Sequence, residues 1–249
     1  ALGNFCRSIP KMGRGCMSSL ADISFQLNKV ELQGMDHRTD DLLNSSNILN
    51  KDVNISIWER KLSNQILNSS QTILKENPEL SISKLSKPSD IYEQLLDDFN
   101  SNEKYLPLFK DVSELLNIFC KIFDLEFAWL RLEAINHPMC PRFHSDYVDC
   151  RTVTTYVGPG TEWLPHHFVN RSKLGHGNDG KNDEESGLFK SNNQIEQLEV
   201  GHVALLKGEK WEGNNGRGLV HRSPQSKELY QRLYMTIDFP EFYFKIFRG

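Results

Sequence analysis

Cys140-Pro141-Arg142-Phe143-His144-Ser145-Asp146-Tyr147 gathers more chemically versatile side chains than any other stretch of this 249-residue chain. In an extended backbone, His144 and Asp146 lie two apart and face the same side, so an imidazole and a carboxylate can reach one metal ion. A third ligand is available downstream: His221 follows the Gly-rich turn Gly216-Arg217-Gly218 and precedes the last strand-like run. Two histidines and one carboxylate form a facial triad, a donor set that leaves coordination positions open on non-haem Fe(II).

Around these residues the sequence alternates. Ala128, Leu130, Leu132 and Ala134 share one face of a strand whose other face carries Phe127, Trp129, Arg131 and Glu133. The β-branched run Arg151 to Val157 ends at Gly158-Pro159-Gly160, and Val200 to Lys207 and Arg232 to Phe239 read as further strands. In the last run Leu233, Met235, Ile237 and Phe239 share one face. Arg232, Tyr234, Thr236 and Asp238 share the other, so guanidinium and phenol open on a common pocket suited to a carboxylate. Short strands with Gly-rich turns predict a sandwich or barrel.

Upstream the period is helical. Apolar positions allow a helix from Trp58 to Leu74, stopped at Asn77-Pro78, and a second from Ile91 to Phe99. A third spans Asp111 to Phe123, with Asp111 as N-cap and Val112, Leu115, Leu116, Phe119, Ile122 and Phe123 as one stripe. Residues 1–50 mix Gly, Ser, Asn and charges without periodicity and read as a poorly ordered leader with a boundary near Lys51. The remainder, 51–249, reads as one domain, mainly helical over 51–125 and β over 126–249. Pro165 to Gln197 forms a long loop that we expect to be mobile and mostly solvated, a candidate lid through which His166 and His167 could approach a site.

Composition excludes several classes. With 29 Lys+Arg against 33 Asp+Glu the net charge is -4, which gives no general pull toward nucleic acid or anionic membranes. No apolar run approaches the roughly 20 residues of a membrane span. Five cysteines, odd in number and dispersed, point to reduced thiols and a cytoplasmic setting, although a targeting segment could have been lost from the start. No Gly-x-Ser-x-Gly elbow or P-loop is present.

The order of an H-x-D pair, a distal His and an Arg about ten residues later resembles the Fe(II)/2-oxoglutarate dioxygenases. That resemblance implies an α+β protein whose helical N-terminal part packs on a double-stranded β-helix, a cupin-like jelly roll. It further implies that His144, Asp146 and His221 hold iron while Arg232 pairs with the distal carboxylate of the co-substrate 2-oxoglutarate, which Tyr234, on the same strand face, is placed to help anchor. A second resemblance covers Asn54 to Arg60, the Cys140 to Tyr147 run, Thr155 to Leu164, Ala204 to Gly208 and Val220 to Pro224. Across roughly residues 50 to 240 the chain resembles the family called domain of unknown function 1826. That resemblance leaves the leader outside the match and favours a metal site without deciding between catalysis and zinc handling, with a metal-handling GTPase as a candidate partner.

Two other readings stand beside the oxygenase. In one, Cys140 or Cys150 closes a tetrahedral zinc shell around His144, Asp146 and His221, giving a non-enzymatic protein of metal homeostasis. In the other, the β-helix is vestigial and the chain is an interaction module that binds no metal. Arg142, Tyr156, Glu162, Trp163, Lys207 and Trp211 are secondary candidates for lining a pocket; His137 and His202 read as structural, and Cys6, Cys16 and Cys120 as plain residues. The substrate, a small molecule or a protein, is not legible, because pocket shape depends on packing.

Overall fold

A computed structural model describes residues 35–39, 42–225 and 231–240. The elements, in chain order, begin with β1 (Met35–Thr39), a 3-10 turn, β2 (Val53–Trp58), α1 (Asn64–Glu76) and β3 (Ser81–Ser86). They continue with α2 (Ile91–Asp98), α3 (Leu106–Phe123), β4 (Ala128–Ile135), β5 (His144–Ser145), β6 (Cys150–Val157) and β7 (Glu162–Leu164). After four 3-10 turns come β8 (Glu196–Gln197), β9 (Val203–Lys207), β10 (Val220–Arg222) and β11 (Arg232–Asp238).

From β4 onward the strands fall into two sheets. β4, β6, β9 and β11 join the larger one, ordered β1-β2-β9-β6-β11-β4-β3, and β5, β7, β8 and β10 make the smaller one, ordered β5-β10-β7-β8. Every pairing among these eight strands is antiparallel. Strands wound between two sheets in this order form a double-stranded β-helix, a jelly roll.

Strand alternation divides the larger sheet's two faces between two cores. Leu130, Leu132, Leu233, Met235 and Ile237 share one apolar cluster with Ile73, Leu108, Val112, Leu116 and Phe119 of the helices. Ile55, Ile57, Val153, Ala204 and Leu206 point the other way, into a smaller cluster with Trp163, Leu198 and Leu219. Each fully buried Leu or Ile contributes about 1.5–3 kcal/mol.

Several sequence expectations shift. The leader expected over 1–50 is structured where it is described: β1 pairs in parallel with β2, and Ile48 is fully buried. Residues 1–34, with Cys6 and Cys16, lie outside the described residues. The stretch 51–125 also supplies β2 and β3, which widen the larger sheet. Trp58 ends a strand, and the first helix starts only after the N-cap Ser63, whose hydroxyl accepts from the Ile66 amide. The third helix begins at Leu106, with Pro107 in its first turn.

Asp111 is therefore no cap. It is buried inside the helix, where its two oxygens accept from Arg60 at 2.5 and 2.8 Å and from the Tyr156 hydroxyl at 2.7 Å. This network ties α3 to the segment after β2 and to β6.

The loop from Pro165 to Gln197 is packed, not loose. Leu188 and Phe189 are buried against Phe143, Leu164 and Val220, with Val169, Leu174 and Ile195 around them. No helix among the described residues is long and apolar enough to cross a membrane.

Candidate metal site

Antiparallel pairing of β10 with β5 sets His221 directly opposite His144, which brings their ring centroids to 4.7 Å. Asp146, two residues along, lies between them: Oδ1 is 3.4 Å from His144 Nε2 and Oδ2 is 3.5 Å from His221 Nε2. The three ligand atoms lie within 4.8 Å of one another.

The other ring nitrogens are already used. His144 Nδ1 donates to the Arg142 carbonyl at 2.9 Å and His221 Nδ1 to the Leu219 carbonyl at 3.2 Å. Both Nε2 atoms are thus the ones turned toward the carboxylate, the orientation found in metal-ligating histidines. Burial pulls the His221 pKa down to about 4, so this ring is neutral at pH 7. Burial also works against a charged His144, but its contact with Asp146 outweighs this and raises its pKa. Burial disfavours the Asp146 anion as well; His144, His221 and Arg151 overcome that and hold the carboxyl well below its ordinary range. Once the proton that Asp146 favours on His144 is released, two lone pairs and an anion converge on one point, and a cation is what such a set accepts.

A cavity of about 300 Å³ runs from these residues to Arg232, Tyr234, Thr161 and Thr236. Arg232 is 2% exposed. Its Nη2 donates to the hydroxyls of Thr155 at 2.8 Å and Thr161 at 2.9 Å, and the guanidinium lies 4.1 Å from the Tyr234 ring centroid. Among the described residues no carboxylate pairs with it. Burial raises the Tyr234 pKa against the pull of Arg232 and Arg151, so the phenol stays protonated.

Arg151 is the residue that sequence reasoning missed. Its Nη1 donates to Asp146 Oδ2 at 2.5 Å and its Nε to Asp238 Oδ1 at 2.6 Å, while Arg131 holds the other Asp238 oxygen at 2.5 Å. The only sequence signal was the alternation of β6, which sets Arg151 on the face of Val153; its partners depend on strand register. Arg131 and Arg151 also line a second, wider cleft of about 970 Å³ with Trp129, Tyr147, Trp211 and Phe239.

The cysteines do not join the set. Cys150 is fully buried on the helix-facing side of β6, the parity opposite to Arg151, and burial pushes its thiol pKa up, away from a thiolate ligand. Cys140 lines the cavity, but among the described residues the donor cluster comprises His144, Asp146 and His221 alone, so the closed zinc shell finds no support. The secondary candidates lie elsewhere: Tyr156 bonds Asp111, Glu162 pairs with Arg222, Arg142 with Asp183, and Trp163 is in the inter-sheet core. Lys207 is buried against the Asn50 carbonyl, and Trp211 lines only the wider cleft. His166 and His167 sit in the 3-10 turn after β7 and line neither cavity.

Topology and donor set together define a double-stranded β-helix protein with an open His-Asp-His site. The chain belongs to the family described as "Protein of unknown function (DUF1826)", whose model matches residues 39–238, so the match begins at Thr39, the last residue of β1, where the sequence suggested a start near 50. No curated protein of similar sequence matches.

Solved structures that resemble this one include the dioxygenase for auxin oxidation from rice, at 10% identity and TM-score 0.46, covering 83% of this chain and 82% of that one. The Arabidopsis thaliana dioxygenase for auxin oxidation 1, in its binary complex with 2-oxoglutarate, has 10% identity, TM-score 0.43 and coverage of 83% and 92%. AviO1 from Streptomyces viridochromogenes has 10% identity, TM-score 0.40 and coverage of 82% and 97%. At such values these are similarities only, and the chemistry of the site stands on the distances above.

Proposed function

We propose that this protein is an Fe(II)/2-oxoglutarate-dependent oxygenase. The observation that carries the reading is Arg232, a buried guanidinium with hydroxyl partners and no described carboxylate, in the same cavity as His144, Asp146 and His221. A buried cation without a counter-charge is costly, and a dicarboxylate reaching from a metal at the triad toward Arg232 relieves that cost.

In this reading two neutral imidazoles and one carboxylate hold Fe(II) and leave positions open. Arg232 binds the far carboxylate of 2-oxoglutarate, with the Thr155 and Thr161 hydroxyls fixing the plane of the guanidinium. Arg151 keeps Asp146 ionised and oriented. Bound metal and 2-oxoglutarate would supply O2 activation coupled to oxidative decarboxylation, chemistry that belongs to the cofactors. The wider cleft beyond Arg131 and Arg151, walled by Trp129, Tyr147 and Trp211, is where we assign substrate entry.

The test is succinate formation from 2-oxoglutarate by protein loaded with Fe(II) in air, without added substrate, compared with His144→Ala. Slow uncoupled turnover in the wild type alone supports the reading; equal rates in both proteins would remove it.

A further inference from the structure

We propose that Asp183 is a positioning residue which, acting through the Arg142–Phe143 peptide, fixes the tautomer and tilt of His144. This role rests on the metal reading of His144, Asp146 and His221. Asp183 is 4% exposed and comes from the loop between β7 and β8, some forty residues from β5. Its Oδ2 accepts from the Phe143 amide at 2.8 Å. The carbonyl of that same peptide unit is the Arg142 oxygen that accepts the His144 Nδ1 proton at 2.9 Å.

An N–H and C=O in one conjugated plane polarise each other, so a carboxylate on the N–H strengthens the carbonyl as an acceptor. The result is a carboxylate-histidine-metal relay with a peptide inserted in it. The carboxylate holds the peptide plane, the plane holds Nδ1–H, and Nε2 is left free toward Asp146.

The same carboxylate also reaches the second histidine's strand. Its Oδ1 accepts from Arg142 Nε at 2.9 Å and its Oδ2 from Arg222 Nη1 at 3.3 Å, and Arg222 directly follows His221. One loop side chain therefore fastens β5 to β10. The loop itself is fixed in place, because Ser186 Oγ donates to the Asp183 carbonyl at 3.0 Å and Phe189 packs on Phe143 with ring centroids 5.8 Å apart. A mobile lid could not serve in this way.

Asp183→Asn keeps the shape and removes the charge; Glu184→Gln is the control, because Glu184 also accepts from Arg222 Nη1, at 2.9 Å, but touches no peptide of β5. Co(II) binding followed by its visible absorption, with circular dichroism to establish folding, is expected to weaken about 10–100-fold in Asp183→Asn. It should stay within about threefold of wild type in Glu184→Gln.

Independently of any variant, ¹⁵N NMR of the metal-free wild type at a pH where the ring is neutral should show His144 protonated at Nδ1 and a Phe143 amide protected from exchange. Wild-type affinity retained in Asp183→Asn, or an Nε2-protonated His144 in the wild type, overturns the role alone. A wild type that takes up no Co(II) overturns the metal reading and this role with it.

Discussion

Replacing Arg232 with Met removes a buried cation while keeping most of its volume. In the protein without co-substrate, Arg232 is held by two threonine hydroxyls and the face of Tyr234. Those partners do not neutralise its charge, so its removal should leave stability unchanged or raise it by about 1–2 kcal/mol. With 2-oxoglutarate bound, the same guanidinium, 2% exposed, would face a carboxylate. Deleting one partner of such a pair costs about 3–5 kcal/mol, and each 1.4 kcal/mol is about tenfold in affinity, so Kd should rise roughly 100- to 4,000-fold. Anaerobic calorimetry with Mn(II) in place of Fe(II) measures this directly, and a thermal melt of the metal-free protein measures the other half. Metal affinity should change less than about threefold, because Arg232 contacts none of the three ligands. Equal 2-oxoglutarate affinity in both proteins would refute the anchor. So would a large loss of stability in the metal-free variant, since Arg232 would then be a structural residue.

Three further outcomes are expected. Asp111→Ala leaves Arg60 buried without its carboxylate and should cost about 3–5 kcal/mol in urea unfolding, with the donor cluster intact; a loss under about 1 kcal/mol would show that the network carries little. Metal must displace the proton that Asp146 favours on His144, whose pKa is raised, so Mn(II) affinity should climb by about tenfold per pH unit below that pKa and level off above it; a flat profile from about pH 5.5 to 6.5 would exclude His144 as a ligand. Burial lowers the Lys207 pKa from its ordinary 10.5 to about 8, so the unfolded chain binds more protons between those values and stability should rise with pH across that window. Lys207→Met should abolish the rise, and an unchanged slope would contradict the assignment.

Much of the site was legible because its parts are local or follow strand parity. His144 and Asp146 share a face by spacing alone, and Arg232 with Tyr234 follows from the alternation of β11. What spacing could not supply was partnership across strands. Arg151 gains its role from lying opposite Asp238 in register and within reach of Asp146, and Asp183 meets β5 only once the loop has folded back. Cys150 was ambiguous in sequence, yet one step of parity from Arg151 turns it into the core.

The helices were found by their stripes, but the start of α3 was misread because Asp111 satisfies the rules for a cap and also those for a buried ion-pair partner. Only the position of Arg60 separates the two. The loop from Pro165 to Gln197 looked solvated because its polar residues outnumber Leu174, Leu188, Phe189 and Ile195, the few side chains that seat it.

The most direct measurement is the visible spectrum of anaerobic, Fe(II)-loaded protein as 2-oxoglutarate is added, for the wild type, His144→Ala and Arg232→Met. The account predicts a charge-transfer band that saturates in the wild type, is absent in His144→Ala and needs roughly 100- to 4,000-fold more 2-oxoglutarate in Arg232→Met. Stoichiometric Fe(II) with no band at saturating 2-oxoglutarate, or no Fe(II) bound at all, would contradict it.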